Sequence, residues 1–395
     1  MTFDSSEFRK RYEKARAALS ETEMDAVLIT NPETVEYLGA GAGLDAAWYR
    51  QFSRSIAFPT IAVVPETGDP TLIVHNVFEA VVRQATDGAC TLRTYYERGS
   101  DTVQSHAPLT VDAIRESCPA APTIGLEVGS GTTTDLKLGV PLCALREIRG
   151  SLPNAEFLDA GDVLRSLRMT KTDAEIDCIR RATAAIDATF DRVFDEIEPG
   201  MSETEVVSVC NRLVSEHGGR PVWTLACTNP FEILPRPDVT LDAGDTLFLD
   251  IGATVGGYHA DYNRMAVVGD PSPEQREHNR IAASVTNTLA DAVEPGLTPA
   301  DIVDRCRDAY RSRGLGSRLG LTSETKIGHS IGLTLSEAPQ LTGYDETTLE
   351  PGMVLCIEPA VMTDDEFFMS EQIVVVTDDG SEVISSAEQE IASIG

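Results

Sequence analysis

Leu241-Asp242-Ala243-Gly244-Asp245-Thr246-Leu247-Phe248-Leu249-Asp250 is echoed by Leu349-Glu350-Pro351-Gly352-Met353-Val354-Leu355-Cys356-Ile357-Glu358. Each run sets a glycine in a turn, follows it with an apolar strand and ends that strand in a carboxylate. A second strand follows each, with a carboxylate of its own: Asp261 ahead of Met265–Val268, and Glu371 ahead of Ile373–Val376. The echo extends upstream, where Ile197-Glu198-Pro199-Gly200-Met201-Ser202 reads like Val293-Glu294-Pro295-Gly296-Leu297-Thr298. Each of these opens a helix with a hydroxyl cap and an acid three residues on, Ser202 with Glu205 and Thr298 with Asp301. Both helices are expected to stop at a glycine, Gly218 and Gly314. The pattern predicts two related helix–helix–hairpin units packed about a pseudo-twofold axis, each with an acid on both hairpin strands.

If the hairpins converge, Asp250, Asp261, Glu358 and Glu371 meet in an apolar setting, with no lysine expected nearby and Arg264 as the nearest arginine in sequence. Buried unpaired carboxylates are costly, and divalent cations are the simplest compensation. Between the hairpins lies a histidine in a glycine-rich segment, Ile327-Gly328-His329-Ser330-Ile331-Gly332. One imidazole and four carboxylates make a plausible shell for two metals sharing bridging acids. Oxygen-rich ligation suits Mn, Co, Fe or Zn, with Mn favoured. Taken singly, each acid could instead be a solvated strand end and His329 a packed turn residue.

The rest of the chain sets the frame. It has 395 residues, with Lys+Arg 32 against Asp+Glu 63 and a formal charge of −31. That length allows two or three domains. The charge excludes a generic nucleic-acid or anionic-membrane binder, and the acidic, lysine-poor composition suggests a halophilic protein working in high salt. The N-terminal MTFDSSEFRKRYEKA lacks an apolar signal core, and no apolar run is long enough to span a bilayer. The eight cysteines form no CxxC pair, so a cytoplasmic protein with small core cysteines is expected.

Candidate strands at Ala26–Thr30, Ile61–Val64, Thr71–His75, Thr91–Tyr95 and Thr123–Glu127 alternate with helical patterns near Phe78–Ala85, Pro108–Glu116 and Thr132–Ile148. That alternation predicts an α/β domain with a mixed sheet. A boundary is expected near Asp159–Met169. Beyond it Ile176, Ile179, Ala182, Ile186, Phe190, Phe194 and Ile197 recur at helical spacing. No GxGxxG or GKS/T phosphate loop is present.

These residues resemble the pita-bread metallopeptidases, which include Xaa-Pro dipeptidase (prolidase), aminopeptidase P and methionine aminopeptidase, with creatinase as a metal-free relative. Asp250-Ile251-Gly252-Ala253 followed by Gly257-Tyr258-His259-Ala260-Asp261 resembles the first two ligands of that family. Gly328-His329-Ser330-Ile331-Gly332-Leu333 resembles the histidine motif, Ile357-Glu358-Pro359 the fourth ligand's setting and Ser370-Glu371-Gln372 the fifth. Arg168-Met169-Thr170-Lys171-Thr172-Asp173-Ala174-Glu175-Ile176 is similar to the family's entry into the catalytic domain. The resemblance implies an α/β (α+β) chain, with a creatinase/prolidase-like domain over 1–160 and a pita-bread hydrolase domain over 161–395. It implies that Asp250 chelates one metal, Asp261 and Glu371 bridge two, and His329 and Glu358 bind the other. A metal-bridging hydroxide would attack the scissile carbonyl, with Glu358 as the catalytic proton carrier. Arg264 would pair with a ligand carboxylate, or else form a plain surface ion pair.

The resemblance also shows departures. Ile233 in Phe231-Glu232-Ile233-Leu234-Pro235-Arg236-Pro237 and Ser336 in Leu335-Ser336-Glu337-Ala338-Pro339 stand where family peptidases usually carry substrate-handling histidines. Asn263 and Met265 replace the usual threonines after the second ligand. Strand alternation is expected to turn His259 away from the metals, and Trp48 and Tyr49 are either pocket or packing residues. The first reading is a homodimeric hydrolase of Xaa-Pro dipeptides or short peptides. The second is a hydrolase of a small non-peptide C–N bond, in the manner of ectoine hydrolases. The third is a non-catalytic binding protein on the same fold.

Overall fold

The sheet cores follow from apolar runs whose backbone groups can be satisfied only by pairing. The computed structural model describes residues 3–40, 59–98, 102–103, 106–127, 142–228, 234–315, 326–363 and 366–395. These fall into two compact units, Met1–Arg168 and Met169–Gly395. Ile233, Trp48 and Tyr49 lie outside the described residues.

In the first unit the strands of the main sheet are β1 (Ala26–Ile29), β2 (Ile61–Pro65), β3 (Thr71–His75), β4 (Thr91–Tyr95), β5 (Thr123–Leu126) and β6 (Glu156–Asp159). They form one mixed sheet in the order β4-β3-β2-β1-β5-β6. β1 runs antiparallel to β2 and parallel to β5. Helices α1 (Ser5–Ser20), α2 (Pro32–Tyr37), α3 (Glu79–Thr86), α4 (His106–Ser117), α5 (Leu142–Ser151) and α6 (Gly161–Met169) accompany it. Of the expected helix at Thr132–Ile148, the stretch before Leu142 lies outside the described residues. Leu28, Ile61, Ile73, Ile114, Ile124 and Ile148 form the core of this unit.

The second unit contains the repeat. Helices α7 (Asp173–Glu196) and α8 (Glu203–Glu216) precede strands β7 (Arg220–Cys227), β8 (Thr246–Val255) and β9 (Tyr258–Val268). Helices α9 (Pro273–Asp291) and α10 (Pro299–Ser312) precede β10 (Gly328–Ser330), β11 (Glu337–Gln340), β12 (Val354–Ile357), β13 (Ala360–Met362), β14 (Phe367–Met369), β15 (Gln372–Val376), β16 (Ser381–Val383) and β17 (Ala392–Ile394). One sheet runs β17-β9-β8-β7 and another β11-β10-β12-β15-β16.

The two halves share a backbone hydrogen-bond pattern. Gly200 N–H donates to Leu241 O, and Gly296 N–H to Leu349 O. Gly244 N–H donates to Val268 O, and Gly352 N–H to Val376 O. Val268 N–H in turn donates to Asp245 O, and Val376 N–H to Met353 O. Both capping boxes form, Ser202 with Glu205 and Thr298 with Asp301. Gly218 and Gly314 follow the two helix ends with φ of 83° and 74°, a region that glycine enters without a Cβ penalty. Phe248, Met265, Val285, Ile302, Leu355, Ile357 and Val374 are buried in one core built from both halves.

One close approach depends on a missing side chain. Gly252 pairs with Trp223 across β8 and β7, and a Cβ there would lie 2.7 Å from the Trp223 Cβ. Gly252→Ala is therefore expected to push the two strands apart and cost about 1–3 kcal/mol. Urea denaturation followed by tryptophan fluorescence measures this; an unchanged midpoint and emission would contradict the packing argument.

Candidate metal centre

Strand register decides which side chains share a face. In the β8–β9 hairpin Asp250 pairs with Asn263 and Gly252 with Asp261, so Asp250, Asp261 and Asn263 project on one side. In the second sheet His329 pairs with Cys356. Glu358 and Glu371 lie one residue beyond the Ile357–Gln372 pair. His329, Cys356, Glu358 and Glu371 therefore share the face opposite the core residues Leu355, Ile357 and Val374.

The groups named from the sequence come together. His329 Nε2 lies 3.7 Å from Glu358 Oε1 and 4.0 Å from Asp261 Oδ2. Asp261, His329, Cys356 and Glu371 each offer a ligand atom, all within 4.8 Å of one another. Asp250, Asp261, His329 and Glu371 are buried, while the Glu358 side chain keeps 25% of its surface exposed. Asp250 Oδ2 accepts a bond of 3.0 Å from Trp223 Nε1. Glu371 Oε2 accepts one of 3.2 Å from Asn263 Nδ2.

The electrostatics are those of a site with far more buried acid than compensating charge. Desolvation first, then a neighbouring carboxylate, hold Asp261 and Glu371 well above the usual acid range. Burial lifts Asp250 to about 6. Burial, opposed by Lys326 and reinforced by Asp250, lifts Glu358 to about 7. Burial, with Lys326 second, lowers His329 to about 4, so its ring is neutral at pH 7. Asp250 Oδ1 and Glu371 Oε1 are buried with no hydrogen-bond partner among the described residues. Orphaned carboxylate oxygens beside a neutral imidazole are the donor set that a divalent cation satisfies. The residues present fit the group.

Other expectations change. Arg264 is neither a surface ion pair nor the partner of a ligand carboxylate. It is 2% exposed, and Nη1 donates to the backbone carbonyls of Asn263 and Glu371, each at 2.7 Å. Nη2 and Nε reach Ala387 O at 2.8 and 3.1 Å, and the guanidinium lies 4.6 Å from the Tyr262 ring centroid. It ties the two acid-bearing strands together through their main chains. A lysine is in fact near: Lys326 shifts Glu358, Asp261 and His329, and its Nζ is 3.5 Å from Ser336 Oγ. Ser336 also shares a hydrogen bond of 3.3 Å with the Gln340 side chain. The alternation argument for His259 fails, since it is two residues before Asp261 and shares its parity. Its backbone N–H and ring Nδ1 both engage Gly332 O, at 2.7 and 3.1 Å. Trp223, Lys326 and Cys356 are not among the site residues expected from the sequence. Only the strand pairing exposes Trp223 and Cys356, whereas Lys326, three residues before His329, could have been suspected.

With this geometry established, the resemblance can be weighed against known proteins. Residues 177–378 match metallopeptidase family M24, and residues 11–170 match the creatinase/prolidase N-terminal domain. The chain belongs to metallopeptidase family M24 and is a metal-dependent hydrolase of that family. It is 27% identical over 396 residues to the probable dipeptidase PepE of Mycobacterium tuberculosis, covering 98% of this chain and 97% of that one. It is 30% identical over 242 residues to an Xaa-Pro dipeptidase of Pyrococcus furiosus, covering 60% of this chain and 68% of that one. The crystal structure of dipeptidase PepE from Mycobacterium ulcerans superposes with a TM-score of 0.79 at 25% identity, covering 99% of each chain.

Two outcomes follow from the charges. Asp250 and Glu358 bind protons in the folded state up to about pH 6 and about pH 7, whereas the unfolded chain releases them near pH 4. Metal-free protein should therefore lose net stability as pH rises from about 4 to about 7, the four raised carboxylates outweighing the opposite contribution of His329 below about pH 6.5, and added divalent metal should stabilise it most at the top of that window. Thermal melts across that range, with and without metal, check this; a flat profile in both would contradict it. Arg264→Gln should cost about 3 kcal/mol or more in chemical denaturation, because it leaves several buried carbonyls unpaired.

Proposed function

We propose that the protein is a dinuclear-metal hydrolase of amide bonds, with Xaa-Pro dipeptides or short peptides as substrates. The observation that carries this reading is the set of four mutually repelling carboxylates, two with orphaned buried oxygens, around a neutral imidazole. Asp250, Asp261, His329, Glu358 and Glu371 would hold the ions, with Asp261 and Glu371 between them. The metals, when bound, supply an activated water and a Lewis acid for the carbonyl oxygen.

The chain's own residues do the rest. Glu358 is the most exposed member of the set, its side chain keeping 25% of its surface. A carboxylate oxygen there can take a proton from the attacking water and return it to the leaving amine. Asn263 holds Glu371 through Oε2, and Trp223 holds Asp250 through Oδ2, so each acid keeps its other oxygen for the ion. Lys326 presents an exposed ammonium beside the site, suited to a free carboxylate on the substrate.

Residues 161–395 carry this chemistry, and 1–160 form an accessory creatinase-like domain. The formal charge of −31 supports a salt-adapted protein, and the scattered cysteines a reducing cytoplasm. Among the described residues no helix is long and apolar enough to cross a membrane. One feature favours a second reading, hydrolysis of a small non-peptide C–N bond: Ser336 stands where a substrate-handling histidine is expected.

Protein loaded with Mn2+, Co2+ or Zn2+ should hydrolyse Ala-Pro, and the assay run beside ectoine, at high and low salt, separates the two readings. Asp250→Ala and His329→Ala should each lower the rate by at least about 10²-fold. Unchanged turnover in either variant would remove the mechanism.

A further inference from the structure

We propose that Cys356 is a sulfur ligand at the Asp261–His329–Glu371 end of the metal centre, and that it selects Zn2+ or Co2+ over Mn2+. The inference rests on the metal-centre reading above and adds a donor to it. Cys356 is fully buried, and strand pairing sets it opposite His329, two residues before Glu358. Cys227 and Cys306 share the apolar cluster of Leu355 and Ile357, whereas Cys356 is turned to the opposite face of its strand, paired with Ile373 and two residues from Glu358. Its Sγ lies 3.5 Å from Asp261 Oδ1.

Two donors bound tetrahedrally to one zinc, a sulfur at about 2.3 Å and an oxygen at about 2.0 Å, stand about 3.5 Å apart. The four ligand atoms of Asp261, His329, Cys356 and Glu371 span 4.8 Å, a spread that small side-chain rotations close onto one ion. Glu371 Oε1, in a side chain that is 1% exposed, is the unpartnered atom within this group. Five oxygen and nitrogen donors by themselves suit Mn2+ well. A thiolate tilts the set toward softer ions, since sulfur ligands select Zn and Co from the first-row metals. When the S–metal bond forms, the thiol proton leaves to solvent and no electron is transferred.

Cobalt reads the sulfur directly. The full-length protein, stripped of metal and titrated with Co2+ without oxygen, should show an intense sulfur-to-cobalt charge-transfer band in the near ultraviolet beside the visible d–d bands. Cys356→Ser should keep the d–d bands and the cobalt stoichiometry, lose the charge-transfer band, and lower the Zn2+-over-Mn2+ preference about ten-fold or more. The wild-type spectrum does not depend on a variant folding, and Cys356→Ala provides a second substitution. Cobalt d–d bands without charge transfer, or a band that survives in Cys356→Ser, would overturn the sulfur ligand and leave the metal centre standing. No cobalt uptake by the wild-type protein would overturn both.

Discussion

Repulsion among buried carboxylates is the constraint around which the C-terminal unit is arranged. Asp250 raises the proton affinity of Asp261, Glu358 and Glu371, Glu358 raises that of Asp261 and Glu371, and desolvation is the largest cause at all four acids. A fold that brings such groups together must stiffen the strands that bear them and supply a counter-charge. Arg264 contributes to the first requirement by bonding the main chains of Asn263 and Glu371 rather than neutralising an acid. Its hydrogen bonds go to main-chain carbonyls, so the carboxylate oxygens stay available to an exchangeable cation.

The surroundings divide into two kinds. The acids are held by side-chain hydrogen bonds, Trp223 on Asp250 and Asn263 on Glu371, with Gly252 leaving room for the Trp223 Cβ and main chain. Toward solvent, the contacts are longer and the groups more mobile in chemistry, with Lys326 and Ser336 at 3.5 Å and Glu358 partly exposed. The machinery for holding metal resembles the family's, whereas the face that would meet substrate carries this chain's own residues.

Much of this was legible in the sequence because the repeat carries redundant signals. Turn glycines, capping boxes and acid-tipped strands recur in both halves, and each pointed to the same helix–helix–hairpin unit. The convergence of the acids followed from that symmetry together with the resemblance. What stayed hidden depends on lateral pairing. Trp223 reaches Asp250 because β7 pairs with β8, and Cys356 faces the acids because β12 lies between β10 and β15. The role of Arg264 was missed because its partners are carbonyls, which no residue pattern announces. His259 was misassigned by simple parity: two residues along a strand restore the face rather than reverse it.

The matched hydrogen bonds of Gly244–Val268 and Gly352–Val376 carry a further consequence. Each half holds only two of the acids, and the imidazole sits in one of them. A polypeptide consisting of a single half could assemble the full constellation only by meeting another copy, at a rate and extent set by concentration. Fusing both halves into one chain makes that encounter intramolecular. It also frees the two copies to diverge, which is how one side could come to hold a histidine and a cysteine that its twin lacks.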